Sequence, residues 1–230
     1  QGMAVGLAQA GADIVGVYRS EAGETQKRVE ALGRGFLPVK ADLSSTEPIN
    51  GIIGKALDQF GKIDILVNNA GIIRRNESID FTEKDWDDVL NVNTKVLFFL
   101  SQAAARQFVK QGNGGKIINI ASMLSYQGGI RVPSYTASKH AVMGLTRILA
   151  NEWAKYHINV NAIAPGYMVT NNTAALRADE KRYHEILDRI PAGRWGTAED
   201  LQGIVVFLAS DASDYINGFT IAVDGGWLAR

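Results

Sequence analysis

The stretch Lys116–Lys139, KIINIASMLSYQGGIRVPSYTASK, decides how the chain is read. It begins with Ile117, Ile118, Asn119 and Ile120, a short β-branched run that predicts a buried strand. The strand is left at Ser122. A loop with Gly128-Gly129 follows, and after Pro133 a helix begins near Ser134. Tyr135 and Lys139 are one turn apart on one face of that helix. A hydroxyl at a strand end thus faces a phenol and an ammonium at a helix start. Tyrosine, with a pKa near 10, exchanges protons poorly at neutral pH. A nearby cation favours the phenolate and lowers that value. Ser122 can then hold a substrate oxygen while Tyr135 exchanges a proton with it, which suits interconversion of an alcohol and a carbonyl. A tyrosine and a lysine four residues apart also arise by chance on solvated helices, so the spacing needs support from elsewhere in the chain.

The chain has 230 residues, enough for one domain with a sizeable core. Apolar residues make up 46% and charged residues 21%, a globular composition. The formal net charge is zero, so nothing favours nucleic acid or an anionic membrane as partner. Without cysteine there is neither a disulfide framework nor a thiolate metal site, which fits the cytoplasm. No apolar run reaches membrane-span length and no signal peptide is visible. His140, His157 and His184 are scattered, so no metal site is expected. The sequons at Asn76 and Asn171 read as chance.

Outward from the central stretch, strands and helices alternate. Strands are expected at 12–18, 36–41, 63–68, 116–120, 158–164 and 220–223. Helices are expected at 1–10, 21–32, from Pro48 to 60, across 83–109 as one helix or a pair, and at 134–155, 172–189 and 198–208. This alternation predicts an α/β fold: one doubly wound parallel sheet with helices on both faces, three layers in a single domain. Ligands bind such sheets beyond the carboxyl ends of the strands. Asp42, Asn69-Ala70-Gly71, Ser122 and Pro165-Gly166 all fall at such ends, so four separate runs meet at one edge.

Together, Asn68-Asn69-Ala70-Gly71, Asn93 within NVN, Ser122, Tyr135-x-x-x-Lys139, Pro165-Gly166 and Asp224-Gly225-Gly226 resemble the short-chain dehydrogenase/reductase family over nearly the whole chain. The resemblance implies a Rossmann-like fold and nicotinamide-dependent catalysis. It makes Tyr135 the acid-base residue. Lys139 would lower the Tyr135 pKa and bind the nicotinamide ribose, Ser122 would orient the substrate oxygen, and Asn93 would hold a water in a proton relay. Asp42 and Leu43 would lie by the adenine, and Asn69, Ala70 and Gly71 by the adenosine ribose. Ile120, Pro165, Gly166, Met168 and Thr170 would approach the nicotinamide. The family also implies a homotetramer.

The family begins with a strand and a Gly-rich turn that cradles pyrophosphate. Here Gln1-Gly2 falls in the helix after that turn, so the first strand and its turn are absent from the chain as given. That strand belongs between those expected at 12–18 and 63–68. Leaving it out would strand backbone groups at about 1–3 kcal/mol each. The resemblance therefore implies about 20 further residues in the natural protein. At the end of the strand before Glu21, Tyr18-Arg19-Ser20 offers no acid for a ribose hydroxyl. Arg19 either accepts the NADP phosphate or is a solvated surface residue.

IIRR at 72–75, the segment 125–142, NEWAKYHINVNAIAPGYMVTNNT, RIPAGRW and AVDGGWLAR resemble, within that family, bacterial enzymes of uronic-acid breakdown. These interconvert a 2,5-diketo-3-deoxy sugar acid and its 5-hydroxy form, generally with NAD, which places NAD first and keeps NADP open. A sugar acid needs a cation for its carboxylate, and arginine binds carboxylates bidentately. Arg131, in the loop joining Ser122 to Tyr135, is the first candidate, with Arg74, Arg75 and Arg194 behind it. Asn171 and Asn172 face either sugar hydroxyls or a helix cap. Trp195 and Trp227 read as packing residues. Residues 167–191 are expected to form a substrate lid. A 3-oxoacyl reductase is the competing enzyme reading. A non-catalytic dinucleotide sensor is disfavoured, because Asn93, Ser122, Tyr135 and Lys139 are all present.

Overall fold

In the computed structural model, which describes residues 1–230, the elements follow in the order α1 (Gly2–Gln9), β1 (Ile14–Tyr18), α2 (Gly23–Glu30), β2 (Phe36–Lys40), α3 (Ile49–Phe60) and β3 (Ile65–Asn68). Then come α4 (Glu83–Leu90), α5 (Leu97–Gln111), β4 (Gly115–Ile120), α6 (Pro133–Trp153) and β5 (Ile158–Pro165). The chain ends through α7 (Ala174–Ala178), α8 (Glu180–Leu187), α9 (Gln202–Ala209) and β6 (Thr220–Val223). Every strand pair is parallel. That geometry follows from helical crossovers between successive strands.

Side chains of β4 alternate between two apolar layers. Ile117 joins Ala104, Ala105, Phe108, Leu149 and Ala150 from α5 and α6. Ile118 faces the other way, to Leu7 of α1 and Val205 and Leu208 of α9. Helices therefore cover both faces, as the unbroken apolar strands require. The turn into β4 depends on glycine. Gly114 has φ +73°, and a Cβ there would sit 2.2 Å from the His157 carbonyl oxygen. No helix is long and apolar enough to cross a membrane.

The strands form two sheets, β1–β2 and β3–β4–β5–β6. Between β1 and β3 lies a cleft of about 580 Å³, walled by Ile14–Val17 on one side and Ile65–Asn68 on the other. The break falls between the two strands that the sequence reading makes neighbours of a further strand. A single π-helical turn at Asn91–Val96 joins α4 to α5, so 83–111 is one helical run with a bulge. Such bulges concentrate at functional sites. The helix expected over 172–189 is broken at Asp179, whose extended backbone stops α7 and whose carboxylate accepts the Arg182 N–H at 3.1 Å to cap α8.

Candidate active site

The carboxyl ends of β3, β4 and β5 carry the residues singled out by the motifs. Ser122 stands two residues past β4 with extended backbone, and its Oγ accepts the Leu124 N–H at 3.2 Å. Tyr135 and Lys139 lie on the first turns of α6, whose start is set by Pro133 at the first helical position. The Lys139 ammonium is 5.5 Å from the centre of the Tyr135 ring and donates to the Ile120 carbonyl at the end of β4. Three side chains from two elements thus converge beside one strand end.

Burial governs their ionisation. It pushes the Tyr135 phenol above its ordinary value, while the Ser122 hydroxyl and then the Arg75 charge pull it back. Lys139 is only 5% exposed, and burial lowers its pKa to about 8. The sequence reading gives the role of acidifying the phenol to Lys139. In the structure the Lys139 ammonium stands 5.5 Å from the ring centre, and burial outweighs the lowering by Ser122 and Arg75.

Asn93 sits in the π turn and is 1% exposed. Its Oδ1 accepts the Ile72 N–H at 2.8 Å, and its Nδ2 donates to the Ile72 carbonyl at 3.0 Å and to Ser138 Oγ at 3.1 Å. The side chain is therefore committed to protein atoms. It pins the loop that leaves β3 to the helix carrying Tyr135.

That loop sends its two arginines apart. Arg74 pairs with Asp85 and Asp88 of α4, both at 3.3 Å. Arg75 makes no ion pair, and its Nη2 donates to the Asn172 carbonyl at 2.9 Å. Arg131 adopts a left-handed backbone, φ +64°, and its Nε meets Glu77 at 3.0 Å. Arg194 is held by both oxygens of Asp200, each at 2.7 Å. The first candidate for the carboxylate clamp is thus already paired, and Arg75 is the arginine whose charge reaches Tyr135. Asn171 opens a short 3-10 turn and is exposed. The N-cap there is Thr170 rather than Asn172, and Thr173, at the third position of the turn, accepts the Thr170 N–H with its hydroxyl at 3.2 Å to close a capping box.

The expected nucleotide contacts are spread along the same edge. Arg19 follows β1, is exposed and has no carboxylate partner. Asp42 follows β2 and accepts the Ser44 N–H at 2.9 Å. Asn69, Ala70 and Gly71 follow β3, and Gly71 packs so that a Cβ would lie 3.3 Å from Asn93 Oδ1. Pro165 closes β5, and Gly166 lets its backbone approach Asp224, whose Cα would be 2.5 Å from an added Cβ. Leu43, Ile120 and Met168 pack their side chains against apolar clusters, and Leu43 also lines the cleft between β1 and β3. Thr170 gives its carbonyl to Arg177. Trp195 and Trp227 are 5% and 4% exposed, packed with Met123, Ile186 and Ile190 beneath α8. A group of charged donors and small residues along one strand edge fits a dinucleotide. Nowhere do three or more His, Asp or Glu side chains gather as a metal site.

A family profile described as "enoyl-(acyl carrier protein) reductase" matches residues 1–228. The chain is 70% identical to a 2-dehydro-3-deoxy-D-gluconate 5-dehydrogenase of Dickeya dadantii, over the whole of this chain and 91% of that protein. The chain belongs to the short-chain dehydrogenase/reductase family. Two solved members of the family share its fold. One, from Agrobacterium tumefaciens and provisionally described as a 2-deoxy-D-gluconate 3-dehydrogenase, was solved with bound NADP. It is 55% identical with a TM-score of 0.93, covering 100% of this chain and 91% of its own. The other, a gluconate 5-dehydrogenase from Burkholderia cenocepacia, was solved with NADP and tartrate. It is 39% identical with a TM-score of 0.94, covering 100% and 90%. The short-chain dehydrogenase/reductase signature residues Ser122, Tyr135 and Lys139 are the ones that meet beside β4.

Proposed function

We propose that the protein is an NAD(P)-dependent oxidoreductase that interconverts a keto and a hydroxy group of a deoxy sugar acid. The reaction is of the 2-dehydro-3-deoxy-D-gluconate 5-dehydrogenase type and serves uronate breakdown. The observation that carries this is Ser122, Tyr135 and Lys139 at one strand edge, with the charge of Arg75 reaching the same phenol. The relative at 70% identity supports the substrate class.

When bound, the nicotinamide supplies the hydride in one direction and takes it in the other. Arg19, Asp42, the Asn69–Gly71 turn, Lys139 and the Pro165-Gly166 turn would hold the dinucleotide along the strand ends. Ser122 donates a hydrogen bond to the reacting oxygen and fixes it against Tyr135. In reduction the Tyr135 phenol gives its proton to that oxygen, and in oxidation the phenolate takes it. Lys139, fixed by the Ile120 carbonyl, keeps a positive charge beside the phenol below about pH 8. Asn93 holds the loop after β3 against α6 through Ile72 and Ser138. Arg19 and the NADP bound to two relatives favour NADP over NAD.

A lid over 167–191 fits the same scheme, since the broken α7–α8 segment overlies Trp195 and Trp227. A homotetramer fits the apolar side chains left on the outside, among them Trp86, Phe99 and Ile148 on α4–α6 and Phe219 before β6. A cytoplasmic location fits a chain without cysteine.

The test is a nicotinamide absorbance assay with the 2,5-diketo-3-deoxy sugar acid and either NADPH or NADH. Rapid NADPH oxidation is expected. Turnover with NADH alone would restore NAD and make Arg19 a surface residue. Turnover of acyl thioesters but of no sugar acid would overturn the proposal.

A further inference from the structure

The turn after β6 touches three parts of the site through one side chain. Both carboxylate oxygens of Asp224 accept backbone N–H groups, one from Gly226 and one from Leu228, each at 2.9 Å. The turn between them is therefore fixed, and it presents Trp227 to the interior, 4% exposed. The indole Nε1 donates to Gln127 Oε1 at 3.3 Å. The Arg189 guanidinium lies over the same ring, 4.0 Å from its centre. Tyr167 meets the ring in an edge-to-face pair, 4.7 Å between centres. Gln127 belongs to the turn that Ser122 opens, Arg189 follows α8, and Tyr167 follows Pro165-Gly166.

We propose that Trp227 is a positioning residue that couples the segment 167–191 to the Ser122 turn, so that the proposed lid and the donor to the reacting oxygen move as one block. This rests on the proposed function for the task given to Ser122, while the coupling itself follows from the packing. Three observations bear on it. First, the end of the segment is tied to the turn after β6 on either side of Arg189. The Arg230 Nη1 donates to the Asp188 carbonyl at 3.3 Å, and the Ala192 N–H donates to the Gly225 carbonyl at 2.9 Å. Second, the Ser122 turn is bonded within itself, so a displacement at Gln127 reaches Ser122. The Gln127 N–H donates to the Met123 carbonyl at 3.2 Å and the Ser125 N–H to the Ser122 carbonyl at 2.9 Å. Ser122 Oγ accepts the Leu124 N–H at 3.2 Å, which leaves its proton to give to a substrate oxygen. Third, the indole sits in one apolar cluster with Met123 on the Ser122 side and Ile186 and Ile190 on the other. A close-packed interior transmits displacement instead of absorbing it. Met123 shares that cluster, so a test must cut the route through Trp227 by itself.

Native-state hydrogen exchange of the NADP-bound protein tests the coupling from both sides, because coupling is reciprocal. R189M takes the guanidinium off the ring, and Q127M removes the acceptor of the indole N–H. R189M is expected to speed exchange at 125–127 about two- to tenfold, and Q127M to speed it by a similar factor at 188–190, the worth of one hydrogen bond or weaker contact. In W227L, which keeps an apolar side chain but neither the indole ring nor its donor, neither change crosses to the other segment. Turnover follows the same rule. R189M and Q127M each lower kcat for the keto sugar acid about two- to tenfold with NADP affinity unchanged, and the R189M/Q127M double variant is no slower than the slower single one. Exchange that rises only around the substituted residue would overturn the proposal. So would crossing effects that persist in W227L, or a double variant whose loss is the product of the single losses. Failure of the wild type to turn over any sugar acid would overturn the proposed function instead, and the exchange measurement would still decide the coupling.

Discussion

The four-stranded and two-stranded sheets bury their strands to different extents. In the larger one, Ile117 and Ile118 are 1% exposed and Val160, Ala162, Ile163 and Ala164 are fully buried. In the smaller one, no residue of β1 is fully buried, and Val39 is the one buried residue of β2. Ser122, Tyr135 and Lys139 hang from β4 and α6, against the closed core. Arg19 and Asp42 hang from β1 and β2, beside the open cleft. Proton transfer needs close placement, and the residues proposed for it lie against that closed core.

The strongest effect belongs to the more buried half. Y135F removes the transferable proton and is expected to lower kcat by about 10²–10⁴-fold. NADP binding, followed by fluorescence, stays near the wild-type level. Full turnover by Y135F would break the division of labour outright.

A packing pair sharpens the same comparison. V160A empties a fully buried site in β5 and is expected to cost about 2–3 kcal/mol in urea denaturation. V15A, in half-buried β1, costs less than about 1 kcal/mol. Equal costs would mean that the two sheets are equally well packed.

A smaller effect concerns pH. Lys139 binds its proton less tightly when folded, with a pKa of about 8 against an ordinary value of 10.5. Between those values the unfolded chain holds the extra proton, so stability rises with pH across that window. Below about pH 8 the cost of burying the charge is present in full, and it is relieved as pH rises. K139M is expected to flatten that rise in melting temperature, measured from pH 7.5 to 10.5. An unchanged slope would mean that Lys139 is not buried as a cation.

Much of the site was legible because its signals are local. The β-branched run before Ser122, the four-residue spacing of Tyr135 and Lys139, and small residues at successive strand ends need no tertiary information. Boundaries shifted where ends fray: the strand expected from Ala12 starts at Ile14, and the helix over 21–32 contracts to Gly23–Glu30. The choice among arginines was not legible. Arg74 and Arg75 are chemically identical neighbours, and only the packing of Asp85 and Asp88 on α4 decides which one is neutralised. Arg131 sits in the loop between two signature residues, yet Glu77, far away in sequence, takes its charge. The π turn is likewise a backbone event, made around Asn93 by its bonds to Ile72 and Ser138.

The most direct measurement follows the hydride itself. The 2,5-diketo-3-deoxy sugar acid is reduced with nicotinamide cofactor deuterated at the transferring carbon, and the product is read by proton NMR. A single deuterium on C5, with the C2 keto group intact, is the predicted result. Deuterium on C2, or none in the product, would contradict the account.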